Sequence, residues 1–130
     1  MKAIQVLALG LVALGAAAFS RPPAAPTVIE MTPNMVFLPR EMTVSVGETV
    51  VWKNTSTMPH SVNTVDYNCR TEEGKKWVKV PVPATAFFSG EIKPGEEWRI
   101  RFELPGRYQY NCTFHEDAMM QGTIIVEASQ

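Results

Sequence analysis

WRIRFELPGRYQYNC, residues 98–112, decides the fold. Trp98, Ile100, Phe102 and Leu104 alternate with Arg99, Arg101 and Glu103. A period of two puts the apolar side chains on one face of a strand and the charged ones on the other. Pro105-Gly106 ends the run, and Pro94-Gly95 precedes it. Pro followed by Gly suits the two central positions of a type II turn, so the strand carries its own boundaries. Beyond the second turn, Tyr108, Tyr110 and Cys112 share one face. The tyrosines read as core, which aims Cys112 inward at the end of its strand.

The same alternation extends upstream. Met42, Val44 and Val46 alternate with Thr43 and Ser45, Gly47-Glu48 turns the chain, and Thr49 to Asn54 returns it. Further strands are expected at Thr27–Met31, His60–Val65 and Thr123–Glu127, with a short one around Phe87–Ile92. Seven or eight short strands without a convincing helix predict an all-β Greek-key sandwich. The stretch from Asp66 to Ala86 is long, charged and proline-bearing, and leaves room for a turn of helix or a flap.

A chain of 130 residues fits one domain. Met1-Lys2-Ala3, an apolar run through Leu14 and the small residues Gly15 to Ala18 have the layout of a secretory signal over residues 1–20. Cleavage after Ala18 or after Ser20 is equally compatible. The alternative is an uncleaved anchor, although the run falls short of the roughly 20 residues a spanning helix needs. Both readings export the domain, to the periplasm or another extracytoplasmic or lumenal space, and the second leaves it membrane-tethered. RPPAAP, residues 21–26, is a proline-rich lead-in, and the domain is expected over residues 27–130.

The formal net charge is −1. Arg70, Lys75, Lys76 and Lys79 are interleaved with Glu72 and Glu73, the pattern of a solvated loop, so nucleic acid is not an expected partner. No glycine-rich phosphate loop follows a strand, and the carboxylates are too dispersed to form an acid–base pair.

Chemistry gathers directly after Cys112, in TFHEDAMMQG at residues 113–122. His115 lies three residues after the cysteine and Met120 five further on, so one loop can converge a thiolate, an imidazole and a thioether. His60, after Met58-Pro59, is the other histidine of the chain and offers a second imidazole. Two imidazoles and a thiolate with a weak axial thioether suit both oxidation states of copper. Met119 competes with Met120, and the spacing and the following Gln-Gly favour Met120. Met31, Met35 and Met42 read as core filler. Glu116 and Asp117 read as a solvated loop tip, or as charges that steer a basic partner.

Other readings stay open on the residues alone. An even cysteine count in an exported chain suggests a Cys69–Cys112 disulfide, in a plain adhesion-type sandwich with incidental histidines. His60, Cys69, Cys112 and His115 together could form a copper or zinc site of a metal-trafficking protein.

GRYQYNCTFHEDAMMQG at Gly106–Gly122, with Pro59-His60 upstream, resembles the ligand region of the cupredoxins, the blue copper proteins that include plastocyanin and pseudoazurin. FLP at residues 37–39, VGETVVWKN at 46–54 and FFSGEIKPG at 87–95 extend the likeness over nearly all of residues 27–127. The resemblance implies one copper ion, Cu(II)/Cu(I), held by His60, Cys112, His115 and Met120. It further implies a monomeric electron carrier, not an enzyme, that moves single electrons between redox proteins and takes no small-molecule substrate. Its partners would be met transiently and would be proteins such as c-type cytochromes or membrane redox complexes. His115 should turn its outer ring edge to solvent, with Phe114, Pro59, Met58 and Met119 as an apolar docking rim. Three positions depart from the pattern. Asn111 stands where plastocyanin has a tyrosine, Ser61 where asparagine is common, and Phe114 where proline is frequent.

Overall fold

The protein is described here by a computed structural model covering residues 24–129. The expected signal segment and the first three residues of the lead-in lie outside the described residues.

Among the described residues, seven strands form two mixed sheets. In chain order they are β1 (Thr27–Met31), β2 (Phe37–Leu38), β3 (Glu41–Ser45), β4 (Thr49–Asn54), β5 (Glu97–Arg101), β6 (Gly106–Asn111) and β7 (Gln121–Glu127). The first sheet runs β2-β1-β4-β5 and the second β3-β7-β6. The β1–β4 and β3–β7 pairs are parallel and the others antiparallel. Together they make the expected β-sandwich.

Alternation becomes burial as the period-two rule requires. Ile29 and Met31 of β1 and Val50 and Trp52 of β4 face Tyr108, Tyr110, Ile124 and Val126 of the second sheet, all buried. Removing each large apolar side chain from water stabilises the fold by about 1.5–3 kcal/mol before chain entropy is counted. At the centre, Tyr110 meets Phe37 edge-on at 4.7 Å and Trp52 at 5.4 Å. Of the methionines read as filler, Met31 is wholly buried, and Met35 and Met42 pack against the core from its edge. In WRIRFEL the alternation holds as far as Phe102, which is buried. Leu104 instead turns outward, 38% exposed, and its carbonyl accepts the Tyr108 hydroxyl at 2.8 Å. Gly95 sits at φ 80°, the left-handed conformation that the second central residue of a type II turn needs.

Two expected strands take another form. His60–Val65 and Phe87–Ile92 form no continuous strand and pair through isolated bridges, His60 with Ile92 and Asn63 with Phe88, while Asn63 also bridges to Asn111 of β6. Backbone bonds such as Thr64 N–H to Phe87 O at 2.9 Å and Ser89 N–H to Val62 O at 3.0 Å are interleaved with side-chain ones: Val62 N–H donates to Ser89 Oγ at 2.8 Å and Phe87 N–H to Thr64 Oγ1 at 2.7 Å. A short helix is also present, α1 at Glu72–Trp77, after a 3-10 turn at Asp66–Asn68. Thr71 caps α1 by accepting Gly74 N–H, acidic Glu72 and Glu73 occupy its first turn, and Lys75 and Lys76 its last. That charge order suits the helix dipole. No helix among the described residues is long and apolar enough to cross a membrane.

Candidate metal centre

The fold brings three of the four expected ligand side chains together at one end of the sandwich. His60, Cys112 and His115 each present a donor atom, and these atoms lie within 4.8 Å of one another. Cys112 Sγ stands 3.7 Å from His60 Nδ1 and 3.4 Å from His115 Nδ1. A metal ion about 2.3 Å from a thiolate and about 2.0–2.1 Å from an imidazole nitrogen sets the S···N separation at about 3.6–3.8 Å. The His60 separation falls in that range and the His115 separation about 0.2 Å short of it, close to the spacing of donors that share one ion. Met120 is 1% exposed, and its carbonyl accepts Cys112 N–H at 2.9 Å, so its backbone is tied to the cysteine. Its rival Met119 is 60% exposed and left-handed at φ 52°, turned outward by the end of the 3-10 turn Glu116–Ala118.

The imidazole of His60 is oriented from behind. Its Nε2 lies 2.8 Å from Ser56 Oγ, which lies 2.8 Å from Asn54 Oδ1. The Asn54 amide nitrogen donates to Met58 O at 2.7 Å and Ile92 O at 2.9 Å, which turns the amide oxygen toward Ser56. With that oxygen as acceptor, the Ser56 hydroxyl donates to Asn54 and receives the Nε2 proton of His60. Nδ1 then keeps its lone pair and faces the sulfur. Burial, with the neighbouring His115 ring second, pushes the His60 pKa down to about 4. Burial, then the Arg70 guanidinium, lowers that of His115. Both rings are therefore held neutral, the form that ligates metal.

Cys112 is fully buried, and burial raises its thiol pKa, opposed by the Ser61 N–H that donates to Sγ at 3.3 Å. A bound cation would reverse that balance by taking the place of the proton. Ser61 also holds the ligand loop, since Thr113 N–H donates to Ser61 Oγ at 2.9 Å. His115 is half-buried with the exposed Phe114 ring 6.5 Å away, Met119 is exposed, and Met58 and Pro59 are only partly exposed.

Cys69 does not join this group. Both cysteines are free, which excludes the disulfide, and the thiol of Cys69 is approached by the amides of Asn63 at 3.5 Å and Asn111 at 3.6 Å. The four-residue site with Cys69 therefore lacks a common centre. Glu116 is a second correction. It is buried, and its carboxylate accepts Arg70 N–H at 2.8 Å and Thr71 N–H at 2.7 Å. Asp117 beside it is exposed, as a loop tip should be. Asn54, Ser56 and Glu116 carry supporting roles that the sequence alone did not reveal, because short polar residues in a turn look the same whether or not they line a site.

Comparison with known proteins gives a consistent result. The model of the family described as copper binding proteins, plastocyanin/azurin family, matches residues 25–127. Plastocyanin of Scenedesmus fuscus is 35% identical over 93 residues, covering 72% of this chain and 88% of that protein. Amicyanin of Paracoccus versutus is 33% identical over 93 residues, covering 72% of this chain and 59% of that protein. A reduced amicyanin variant superposes with a TM-score of 0.60 at 28% identity, over 78% of this chain and 82% of its own.

Proposed function

The chain belongs to the plastocyanin/azurin family of copper-binding proteins, and from that membership we propose that His60, Cys112, His115 and Met120 hold its copper ion. It is a blue copper electron-transfer protein that takes one copper ion. The observation that carries the ligand assignment is the pair of S···N separations, 3.4 and 3.7 Å, about one sulfur. His60 and His115 would hold the ion through Nδ1, Cys112 through its thiolate and Met120 through a weak thioether, a donor set that suits both oxidation states of copper. Copper supplies a one-electron couple there, and the protein's part is to keep the ligands nearly still while the charge changes. Ser56 fixes one imidazole, Ser61 fixes the loop, and the sandwich fixes both, so little structural work accompanies each transfer.

No substrate is turned over in this reading. His115, with exposed Phe114 beside it, offers an electron exit at an apolar surface suited to brief contacts with redox proteins. Cytochromes of the c type and membrane redox complexes fit that role. The leader-like residues 1–20 put the carrier in the periplasm or another extracytoplasmic space, with the folded unit beginning at residue 27.

The test is visible absorption on addition of cupric ion. An intense thiolate-to-copper band that disappears on reduction and returns on oxidation is expected. Cys112→Ser should abolish the band and leave the fold intact, and its survival in that variant would remove Cys112 from the site.

A further inference from the structure

Side-chain hydrogen bonds tie the ligand loop, Cys112 to Met120, to the rest of the molecule, and two of the anchors are central. One is the Ser61–Thr113 contact. The other is Glu116, which follows His115 directly, is only 7% exposed and faces the α1 segment. Its Oε2 accepts Arg70 N–H at 2.8 Å and Thr71 N–H at 2.7 Å, and its Oε1 accepts the Asn111 amide at 3.3 Å. Three acceptances and no donation are the pattern of a carboxylate. Hydrogen bonds to such a group are stronger than those between neutral partners.

We propose that Glu116 is a positioning residue, a clasp that locks the ligand loop to the start of α1 and limits how far the ligands move when an electron arrives or leaves. This rests on the copper reading above. The geometry favours a clasp over a casual contact, because the three partners come from both sides of the loop. Asn111 immediately precedes Cys112 and is paired through its backbone to Asn63, with both N···O distances 2.9 Å. Arg70 and Thr71 lead into α1, and the Arg70 guanidinium donates to Phe114 O at 3.1 Å. One carboxylate thus joins the residue before the cysteine, the residue after the histidine and a segment more than forty positions upstream.

Gly74 provides independent support. It is the buried residue of α1, and a Cβ added there would stand 3.1 Å from Asn111 Nδ2 and 3.2 Å from Glu116 Cδ. Such spacing is tighter than ordinary van der Waals contact, so the helix reaches Glu116 only because position 74 has no side chain. Trp77 Nε1–H closes the same face by donating to Tyr110 O at 3.0 Å.

The experiment compares wild type, Glu116→Ala, Glu116→Gln and Gly74→Ala by amide hydrogen exchange in the metal-free protein and by electron self-exchange after copper loading. In Glu116→Ala, protection of the Arg70 and Thr71 amides should fall by about tenfold, as expected for a lost buried hydrogen bond. Self-exchange should slow by about tenfold or more, with the thiolate-to-copper band retained, because all four ligands remain. Glu116→Gln keeps an acceptor oxygen and should recover part of both effects. Gly74→Ala should move both in the direction of Glu116→Ala, and it tests the clasp if that variant fails to fold. Unchanged amide protection would overturn the inference, as would lost protection with unchanged self-exchange. If wild type showed no intense band, the copper reading would fail first and the clasp's part in electron transfer with it.

Discussion

Replacing Gly122 with Ala tests how rigid the floor beneath the ligand loop is. Gly122 is the second residue of β7, two positions after Met120, and the register of β6 and β7 places it opposite Tyr110. A methyl group there would lie 2.7 Å from Tyr110 Cε2 and closer still to Cζ and Oη. The ring has no free direction. It is fully buried, with Phe37 edge-on at 4.7 Å and Trp52 at 5.4 Å. Overpacking a close-packed core costs about 1–3 kcal/mol, and a ring enclosed on both sides belongs at the upper end, about 3 kcal/mol. In a domain of this size each kcal/mol lowers Tm by about 4–8 °C, so a fall of roughly 12–24 °C is expected. Thermal unfolding of the metal-free protein by circular dichroism measures it without the added stability of bound copper. Combining the change with Tyr110→Leu should cost less than the sum of the single changes, since the shortened side chain leaves room for the methyl. A Tm within about 3 °C of wild type would show that the ring has slack, and the reasoning would be wrong.

Three further outcomes are expected. Met120→Leu should keep copper bound and raise the reduction potential, because a donor to the cupric state is lost, whereas Met119→Leu should leave it unchanged; cyclic voltammetry distinguishes them. Ser56→Ala removes the acceptor that orients His60 and should weaken copper affinity by about 10–100-fold in a competition titration. In the metal-free protein, His60 titrates near 4 when folded and near 6.5 when unfolded, so between those values the unfolded chain binds the extra proton. Stability is therefore intact above pH 6.5 and falls as the pH drops toward 4, by about 3 kcal/mol over the interval, with His115 adding in the same direction. Urea midpoints measured across that range should decline, and removing the imidazole with His60→Asn should flatten the decline.

The parts legible in the sequence were those in which a strict period meets a buried face. Thr27–Met31 and Thr49–Asn54 fall at their expected bounds because each is a regular strand with its apolar side chains turned into the core. Cys112 could be aimed inward from Tyr108 and Tyr110 for the same reason. His60–Val65 misled, because its backbone bonds to Phe87–Ile92 and Asn111 are interrupted by side-chain acceptors, Ser89 Oγ for Val62 N–H and Asn63 Oδ1 for Val65 N–H, so it pairs by isolated bridges and not by a ladder. Helix α1 falls within Asp66–Ala86, where a turn of helix or a flap is expected, but its bounds are not legible because six residues are too few for an apolar stripe and its signals are a cap and a charge order. Glu116 reads as solvent-facing because a carboxylate normally is. Only in the folded chain do two backbone N–H groups from residues 70 and 71 turn toward it.

X-ray absorption at the copper edge of the loaded wild-type protein tests the central claim most directly. Two imidazole nitrogens and one short sulfur distance are predicted, with the sulfur lost in Cys112→Ser. A shell of nitrogen and oxygen alone, or one containing two short sulfurs, would contradict a site built from His60, Cys112 and His115.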